Sequence, residues 1–379
     1  MPYTMNCSST PHECPGGFAA RDSAGRIAVP FIVITGILAF VLLFLASRAL
    51  ERSVPASNTA VTSESAGHRG AAPDDAEYTT LASVSGEDRY TVERRLSPFD
   101  GERAMRDVER VVGYGPRPAG SAALAELREH IRGQLDEAGV GIREQAFTAS
   151  TPIGDRDMVN VVGVVQGDEP GIIVLGNHYD TKYYEDIEFV GANDGGSTTA
   201  WMMEMARVLG PEREGRTVWL CFFDGEEAFE EWTDDDSLYG SREFVRELEA
   251  TGEIGDIDVM INVDMIGDCV LTIQRDAGAP RWLSDLVWDK AEELGYGEYF
   301  LSSSHYILDD HIPFRRAGVP AMVIIDFMYG GTRETHRRYW HTEEDTLDKV
   351  CARSLQAVGD VIYHALPDLE AQLDGMMTP

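Results

Sequence analysis

Six short apolar runs with the length of β-strands recur after residue 140, and they constrain the fold more than any other feature. They are 141–147, 158–165, 171–177, 217–223, 258–264 and 319–325. Stretches with the apolar spacing of helices separate several of them: 198–209, 241–250, 281–294 and 346–366. Alternating strands and helices predict a mostly parallel sheet with helices on both faces. We therefore expect a single three-layer α/β/α domain with a mostly parallel mixed central sheet.

Two more stretches with helical spacing, 101–113 and 121–138, precede the first strand-like run. The hydroxyl of Ser121 is placed to cap the second of these helices, and Gly139 stands where that helix would end. We therefore expect the folded domain to occupy residues 99–379.

An uncharged segment, residues 27–46, lies between Arg26 and Arg48. About 20 apolar residues suffice for a helix that crosses a membrane, whereas a cleaved signal peptide, the alternative, normally has a shorter apolar core. We predict a short head at 1–26, a transmembrane anchor at 27–46 and a flexible linker at 47–98. Because the head is short and the domain that follows is large, we expect that domain to be extracytoplasmic.

Acidic residues outnumber Lys and Arg by 65 to 32, which gives a net charge of −33. Such a chain repels the phosphate backbone, so nucleic acid is not an expected partner. Most of this excess lies after residue 99, and we interpret it as an aid to solubility or to stability at high salt.

The five cysteines are scattered and form no Cys-x-x-Cys motif. They are too few for a disulfide framework. Cys221 and Cys269 lie in apolar runs, which predicts that both are buried thiols.

The run 217–223 ends at Asp224-Gly225 and is followed at once by two carboxylates, Glu226 and Glu227. Ligands of open α/β sheets bind at the carboxyl ends of the strands, which is where this pair falls. Because adjacent glutamates repel each other, burying both requires a cation or a proton nearby. An acidic surface loop is the alternative when the pair is considered alone.

Other polar residues that could bind a metal follow strands or lie in loops. They are His178, Asp194, Asp264 and His341, with Asp180 two residues after His178 and able to orient its ring. Imidazole and carboxylate ligands suit zinc, and a glutamate that is not a ligand can then act as a base. Any one of these positions is weak evidence, but the whole set in this order predicts a zinc site.

The order His178-Tyr179-Asp180, Asp194, Glu226-Glu227, Asp264, His341 resembles the zinc aminopeptidase superfamily, the co-catalytic metallopeptidases. The resemblance implies two zinc ions in the peptidases of that superfamily. His178, Asp194 and Asp264 would bind one ion, and Asp194, Glu227 and His341 the other. Glu226 would then be the base that activates water.

Three longer segments resemble the glutaminyl-peptide cyclotransferase (glutaminyl cyclase) branch of the superfamily more closely. They are 178–183, 222–242 and 309–320, and the similarity extends over roughly residues 100–365. In cyclases the resemblance implies one zinc, on Asp194, Glu227 and His341. The implied reaction converts the N-terminal Gln of a peptide or protein to pyroglutamate and releases ammonia.

The same resemblance implies roles for further residues. Glu226 would move a proton from the α-amine to the leaving ammonia, and Asp264 and Asp309 would form a hydrogen-bonded acid network around it. Trp232 and Trp340 would form the walls of the substrate pocket. The segment 326–339 is long and carries Arg333, Arg337 and Arg338, so the substrate preference is less constrained than the reaction class.

Two other functions stay open at this point. A di-zinc aminopeptidase would use Asp264 and His178 as ligands of a second ion and Glu226 to activate water. A membrane-tethered binding module with a decayed site is the other alternative, although no ligand position has been lost.

Overall fold

A computed structural model of the chain describes residues 97–331 and 337–377, all within the compact unit Ala82–Pro379. The predicted head at 1–26, the predicted anchor at 27–46 and nearly all of the predicted linker at 47–98 lie outside the described residues. In the ranges that are described, no helix has the length and apolar character needed to cross a membrane.

The domain alternates helices and strands, as the sequence predicts. The helices are α1 Gly101–Val112, α2 Ala122–Glu137, α3 Gly196–Leu209, α4 Tyr239–Thr251, α5 Arg281–Glu293, α6 His311–Arg316 and α7 Ala352–Met377. The strands are β1 Gly141–Thr151, β2 Gly154–His178, β3 Glu212–Phe223, β4 Ile257–Asp264, β5 Ile273–Asp276, β6 Phe300–His305 and β7 Ala321–Ile325. Short 3₁₀ turns lie at Glu253–Asp256 and Leu347–Lys349.

The central sheet contains β1, β2, β3, β4 and β7, and strand β2 bends around β3. Along the first arm of β2, Val161 pairs with Phe222 and Val165 with Val218, so this arm runs opposite to β3. Along the second arm, Ile172 pairs with Thr217 and His178 with Phe223, so this arm runs in the same direction as β3. The sheet is continued by parallel pairs of β2 with β4 and of β4 with β7, and β1 pairs antiparallel with β2.

Side chains of β3 alternate between the two faces of the sheet, because successive residues of a strand point to opposite sides. Val218, Leu220 and Phe222 join a large hydrophobic cluster with α1, α2, α3, α5 and α7. Trp219, Cys221 and Phe223 join a second cluster, which contains Phe244 of α4 and Phe314 of α6. The apolar run at 217–223 is therefore buried on both sides, which explains why it lacks polar alternation.

The predicted mixed α/β fold is confirmed, with differences in detail. Ser121 caps α2 by accepting a hydrogen bond from the Leu124 N–H. The predicted strands at 158–165 and 171–177 are two arms of the single strand β2. The predicted last helix at 346–366 begins later, at Ala352, and continues through Pro367, because Leu369 and Leu373 remain buried beyond it.

The prediction for Cys269 was wrong, whereas Cys221 is a buried free thiol as expected. Cys269 forms a disulfide with Cys351, at the start of α7. The two cysteines are 82 residues apart in sequence, and their backbones are already tied by hydrogen bonds from Cys269 N–H to Lys349 and from Cys351 N–H to Gly267. That proximity arises from the fold and leaves no trace in cysteine spacing.

Candidate active site

Three neighbouring strands bring the predicted ligands to one edge of the sheet. His178 is the last residue of β2 and pairs with Phe223 at the end of β3, while Gly176 pairs with Asn262 near the end of β4. Parallel strands end at the same edge, so His178, Asp264 and the segment that follows Phe223 converge there. The edge is thus built by the order of the strands.

The two glutamates follow a tight turn at Gly225. Its φ of 70° is in the left-handed region, and a Cβ at this position would lie 2.6 Å from the sulfur of Met158, so only glycine fits. The carboxylate of Asp180 accepts hydrogen bonds from the backbone N–H groups of Glu226 at 3.1 Å and Glu227 at 3.4 Å. Asp180 therefore orients the turn that carries both glutamates.

Asp180 also faces His178, as predicted, with 3.5 Å between its Oδ1 and the imidazole Nδ1. The other ring nitrogen, Nε2, lies 3.2 Å from Asp194 and 3.3 Å from Asp264. His178 is therefore surrounded by three carboxylates in the interior of the domain.

A buried arginine supports the loop that carries Asp194. The guanidinium of Arg117 donates hydrogen bonds to the backbone carbonyls of Tyr179, Val190 and Gly191. Burial lowers the pKa of Arg117 to about 10, which leaves it charged at neutral pH. A fully buried cation beside so many acids reduces the cost of burying their charge.

The predicted metal ligands form two groups that share Asp194. One consists of His178, Asp194 and Asp264, and the other of Asp194, Glu227 and His341. In the second group Nε2 of His341 lies 2.9 Å from Glu227 and 3.4 Å from Asp194. Donor atoms of a tetrahedral zinc site lie about 3.3 Å apart, given metal–ligand distances of about 2.0–2.2 Å.

The second group has the chemistry of a cation site. Among the described residues, Oε2 of Glu227 is buried without a hydrogen-bond partner, and Oδ2 of Asp194 is buried with only the 3.4 Å contact to His341 Nε2. Burying these oxygens is costly unless a cation neutralises them. Burial disfavours the imidazolium form of His341, yet the charges of Glu227 and Asp194 raise its pKa to about 9. A positive charge in this pocket is therefore stabilised by the surrounding carboxylates. One imidazole with two carboxylates is also a ligand set that binds zinc in proteins.

Glu226 belongs to neither group, although it lines the same cavity. Burial, with the nearby charges of Glu227, Asp309 and Asp310, raises the pKa of Glu226 well above its usual value. Burial and the charge of Asp264 raise the pKa of Asp309 to about 7. Asp309 is therefore able to hold a proton near neutral pH, and Glu226 holds a proton more tightly than an exposed glutamate does.

The three acids of the predicted hydrogen-bonded network, Glu226, Asp264 and Asp309, contact other groups instead of one another in the described part of the chain. Asp309 accepts hydrogen bonds from the Asn262 side chain and from the Asp310 N–H, and Asp264 contacts His178. Among the described residues, no hydrogen bond joins Glu226 to either aspartate. The three acids surround one cavity and interact through their charges.

The two predicted tryptophans both line this cavity, which has a volume of about 430 Å³. The Trp340 indole stacks on the ring of His341, with centroids 3.8 Å apart and an interplanar angle of 18°. Trp232 is 38% exposed at the mouth. Lys182, Tyr306 and Arg337 also line the cavity, without having been predicted as site residues.

Two buried residues that orient the site, Arg117 and Asp345, escaped the sequence analysis. Arg117 lies in a Gly-Pro-Arg-Pro turn, and Asp345 follows His341 by four positions. No spacing rule connects either residue to a ligand. Only the long-range contacts of the fold identify them.

Comparisons with known proteins agree with this geometry. The family model "Peptidase family M28" matches residues 160–366. The glutaminyl-peptide cyclotransferase of Gloydius blomhoffii is 31% identical over 283 residues, covering 64% of this chain and 75% of the relative.

Among solved structures, an Acidobacteriales bacterium glutaminyl cyclase is 38% identical with a TM-score of 0.69, covering 74% of this chain and 99% of that one. A Zn-dependent exopeptidase from Parabacteroides distasonis shares the fold, with 24% identity, a TM-score of 0.64 and coverage of 70% and 96%. The chain belongs to peptidase family M28 and, within that family, to the glutaminyl-peptide cyclotransferase branch.

Proposed function

We propose that this protein is a zinc-dependent glutaminyl-peptide cyclotransferase, which converts the N-terminal Gln of peptides or proteins to pyroglutamate with release of ammonia. The observation that carries the proposal is the Asp194, Glu227 and His341 group with Glu226 beside it in one cavity. The relatives named as glutaminyl-peptide cyclotransferases support it.

Asp194, Glu227 and His341 would bind the zinc ion. When bound, zinc supplies Lewis-acid polarisation of the γ-carboxamide oxygen of the N-terminal Gln. The protein contributes the cavity in which the Gln side chain and the α-amine are enclosed together. Because both reacting groups belong to one residue, holding that residue bent replaces a bimolecular encounter.

Glu226 is proposed as the group that moves the proton. The α-amine loses a proton as it attacks the carbonyl carbon (Cδ) of the γ-carboxamide, and the departing amide nitrogen must gain one to leave as ammonia. A carboxylate whose pKa is raised by burial is suited to both transfers, since it is a stronger base than an exposed glutamate and can return the proton to the leaving group. The reaction consumes no water.

Asp264 and Asp309 are proposed to assist Glu226 through their charge. Both are buried beside the cavity, and the pKa of each is raised, first by burial. A proton retained among these acids limits the repulsion that two or three adjacent carboxylates would otherwise cause. Trp232 and Trp340 are proposed as the walls against which the flat amide of the substrate packs.

The alternative of a di-zinc aminopeptidase keeps one specific observation in its favour. The first ligand group, His178, Asp194 and Asp264, is fully assembled. If that group also binds zinc, Glu226 would activate water and the substrate would lose its N-terminal residue. One zinc per chain is expected for the cyclase and two for the peptidase.

We also propose that residues 27–46 anchor the protein in a membrane with the catalytic domain on the extracytoplasmic side. The uncharged segment supports the anchor. The Cys269–Cys351 disulfide supports the orientation, because disulfides persist mainly in oxidising compartments. A protease-protection assay on membrane vesicles tests both points, since a cytoplasmic domain would be cleaved from the opposite side.

The direct test of the function offers the zinc-loaded full chain an N-terminal Gln peptide and, separately, a chromogenic aminoacyl amide. Ammonia release from the peptide, without amine release from the amide, is expected at one zinc per chain. Amine release at two zinc ions per chain would show that the enzyme is a peptidase.

A further inference from the structure

Arg337 lines the cavity that contains the metal ligands and belongs to the same loop as His341. Its guanidinium lies 4.6 Å from the centre of the Trp340 ring and 4.1 Å from the centre of the Phe327 ring. Trp340 in turn stacks on His341. A continuous stack of planar groups therefore runs from the proposed zinc ligand His341 to the guanidinium.

Among the described residues, the charge of Arg337 has no anionic partner, and its guanidinium contacts the two aromatic rings. Partial burial lowers the pKa of the guanidinium, and no described carboxylate offsets that effect. The chain carries 65 acidic residues, so an arginine without a carboxylate partner among the described residues is unexpected. An arginine that lies over an aromatic face keeps its N–H donors in the plane of the guanidinium itself, free to bind a carboxylate in a bidentate manner.

The other cation in the cavity wall, Lys182, is already engaged. Its ammonium donates a hydrogen bond to the carbonyl of Ala228 at 2.6 Å and lies 3.9 Å from Glu227. Lys182 therefore neutralises the protein's own acid. Of the two basic side chains, Lys182 and Arg337, that line the cavity in the described part of the chain, Arg337 is the one left to act on a substrate.

We propose that Arg337 forms a subsite for a carboxylate in the residues that follow the N-terminal Gln, an inference that rests on the proposed function. With the Gln side chain at His341, the next residues of an extended peptide advance about 3.3–3.6 Å each. The guanidinium of Arg337 is separated from His341 by the Trp340 ring. It is then within reach of the second or third residue of the peptide. The carboxylate is either an Asp or Glu side chain there or the C-terminus of a short peptide.

The neighbouring Arg338 provides a matched control. It carries the same charge, is mostly exposed, pairs with Glu344 at 3.3 Å, and does not line the cavity. Arg337→Gln and Arg338→Gln therefore remove equal charge from adjacent positions. Arg337→Met also removes the charge of Arg337, with a different side chain in its place. Arg337→Lys keeps the positive charge but removes the planar guanidinium.

The experiment measures kcat/KM for ammonia release with four peptides, Gln-Ala-Ala-amide, Gln-Glu-Ala-amide, Gln-Ala-Glu-amide and Gln-Ala-Ala with a free C-terminus. We expect the ratio of an acidic peptide to the neutral amide to fall about tenfold in Arg337→Gln and Arg337→Met, as for loss of one charge-assisted hydrogen bond. Arg338→Gln should keep the wild-type ratio. Which peptide responds identifies the source of the carboxylate.

Two results would overturn the inference in different ways. Equal ratios in wild type, Arg337→Gln and Arg338→Gln, with ammonia still released, would remove the subsite and leave the cyclase function intact. No ammonia from any of the four peptides with the zinc-loaded wild type would refute the proposed function, and the subsite with it.

Discussion

The carboxylate of Asp345 accepts a hydrogen bond from the backbone N–H of Asp194 at 3.1 Å. The same carboxylate accepts bonds from the Asn193 N–H at 2.8 Å and the Tyr329 hydroxyl at 2.6 Å. Asp345 is completely buried and follows His341 by only four residues. One side chain thus connects the loops that carry two of the proposed zinc ligands.

Replacing Asp345 by Asn should weaken zinc binding about tenfold, because the amide nitrogen cannot accept the Asp194 N–H bond and outer partners of metal ligands typically contribute this much. Competition with a chelator measures the zinc Kd. The exposed Asp348→Asn removes the same charge three residues away and should leave the Kd unchanged. Equal affinity in the two variants would show that Asp345 does not orient the site.

Glu226→Gln should lower kcat by about 10²–10⁴-fold while zinc content stays at the wild-type value, since the side chain moves protons and is not a ligand. Activity and bound zinc are measured on the same preparation. Glu230→Gln, on an exposed side chain lining the same cavity, serves as the control. Loss of zinc in Glu226→Gln would contradict the assigned role.

His178→Ala distinguishes one metal from two. In the cyclase it should leave one zinc per chain, because Asp194, Glu227 and His341 are unchanged. In a di-zinc peptidase it removes a ligand of the second ion, and the zinc count should fall by one. Elemental analysis of the wild type and the variant gives the answer without an activity assay.

Asp326 makes the stability of the domain depend on pH. Burial and the charge of Asp268 raise the pKa of Asp326 from 3.8 to about 7 in the folded state. The folded state therefore holds this proton more tightly than the unfolded state, and stability falls as pH rises from about 4 to about 7.

Urea unfolding of wild type and Asp326→Asn at pH 5 and pH 7.5 checks this prediction. The free energy of unfolding of the wild type, relative to the variant, should be lower at the higher pH by on the order of 3 kcal/mol. A difference that does not change with pH would contradict a raised pKa.

The edge of the sheet was predictable because strands and their ends have local signatures. The apolar run that stops at Asp224-Gly225 predicts both the end of β3 and the turn that exposes Glu226 and Glu227. His178 is the last residue of β2 and Asp264 is the last residue of β4, so both lie at the same edge of the sheet. Side chains that follow parallel strands meet in space, so His178, Asp264 and the two glutamates could be placed together from the sequence. Asp194 and His341 lie in loops, where this rule does not apply.

What the sequence did not reveal depends on contacts between distant segments. The bend of β2 around β3 lies between Val165, in the arm that runs opposite to β3, and Ile172, in the arm that runs with it, and each arm alone is a normal strand pattern. The Cys269–Cys351 disulfide likewise requires two loops to meet. In the sequence nothing distinguishes Asp345 from the other acidic residues, because its role depends on the backbone N–H groups that it contacts in the fold.

The most direct test of the central claim follows the side-chain nitrogen of the substrate. An N-terminal Gln peptide labelled with ¹⁵N in the γ-carboxamide is incubated with the zinc-loaded full chain, and the products are identified by mass spectrometry. A cyclotransferase should release the label as ammonia and leave a peptide of full length with a blocked N-terminus. Labelled free glutamine and a peptide shortened by one residue would contradict the assignment.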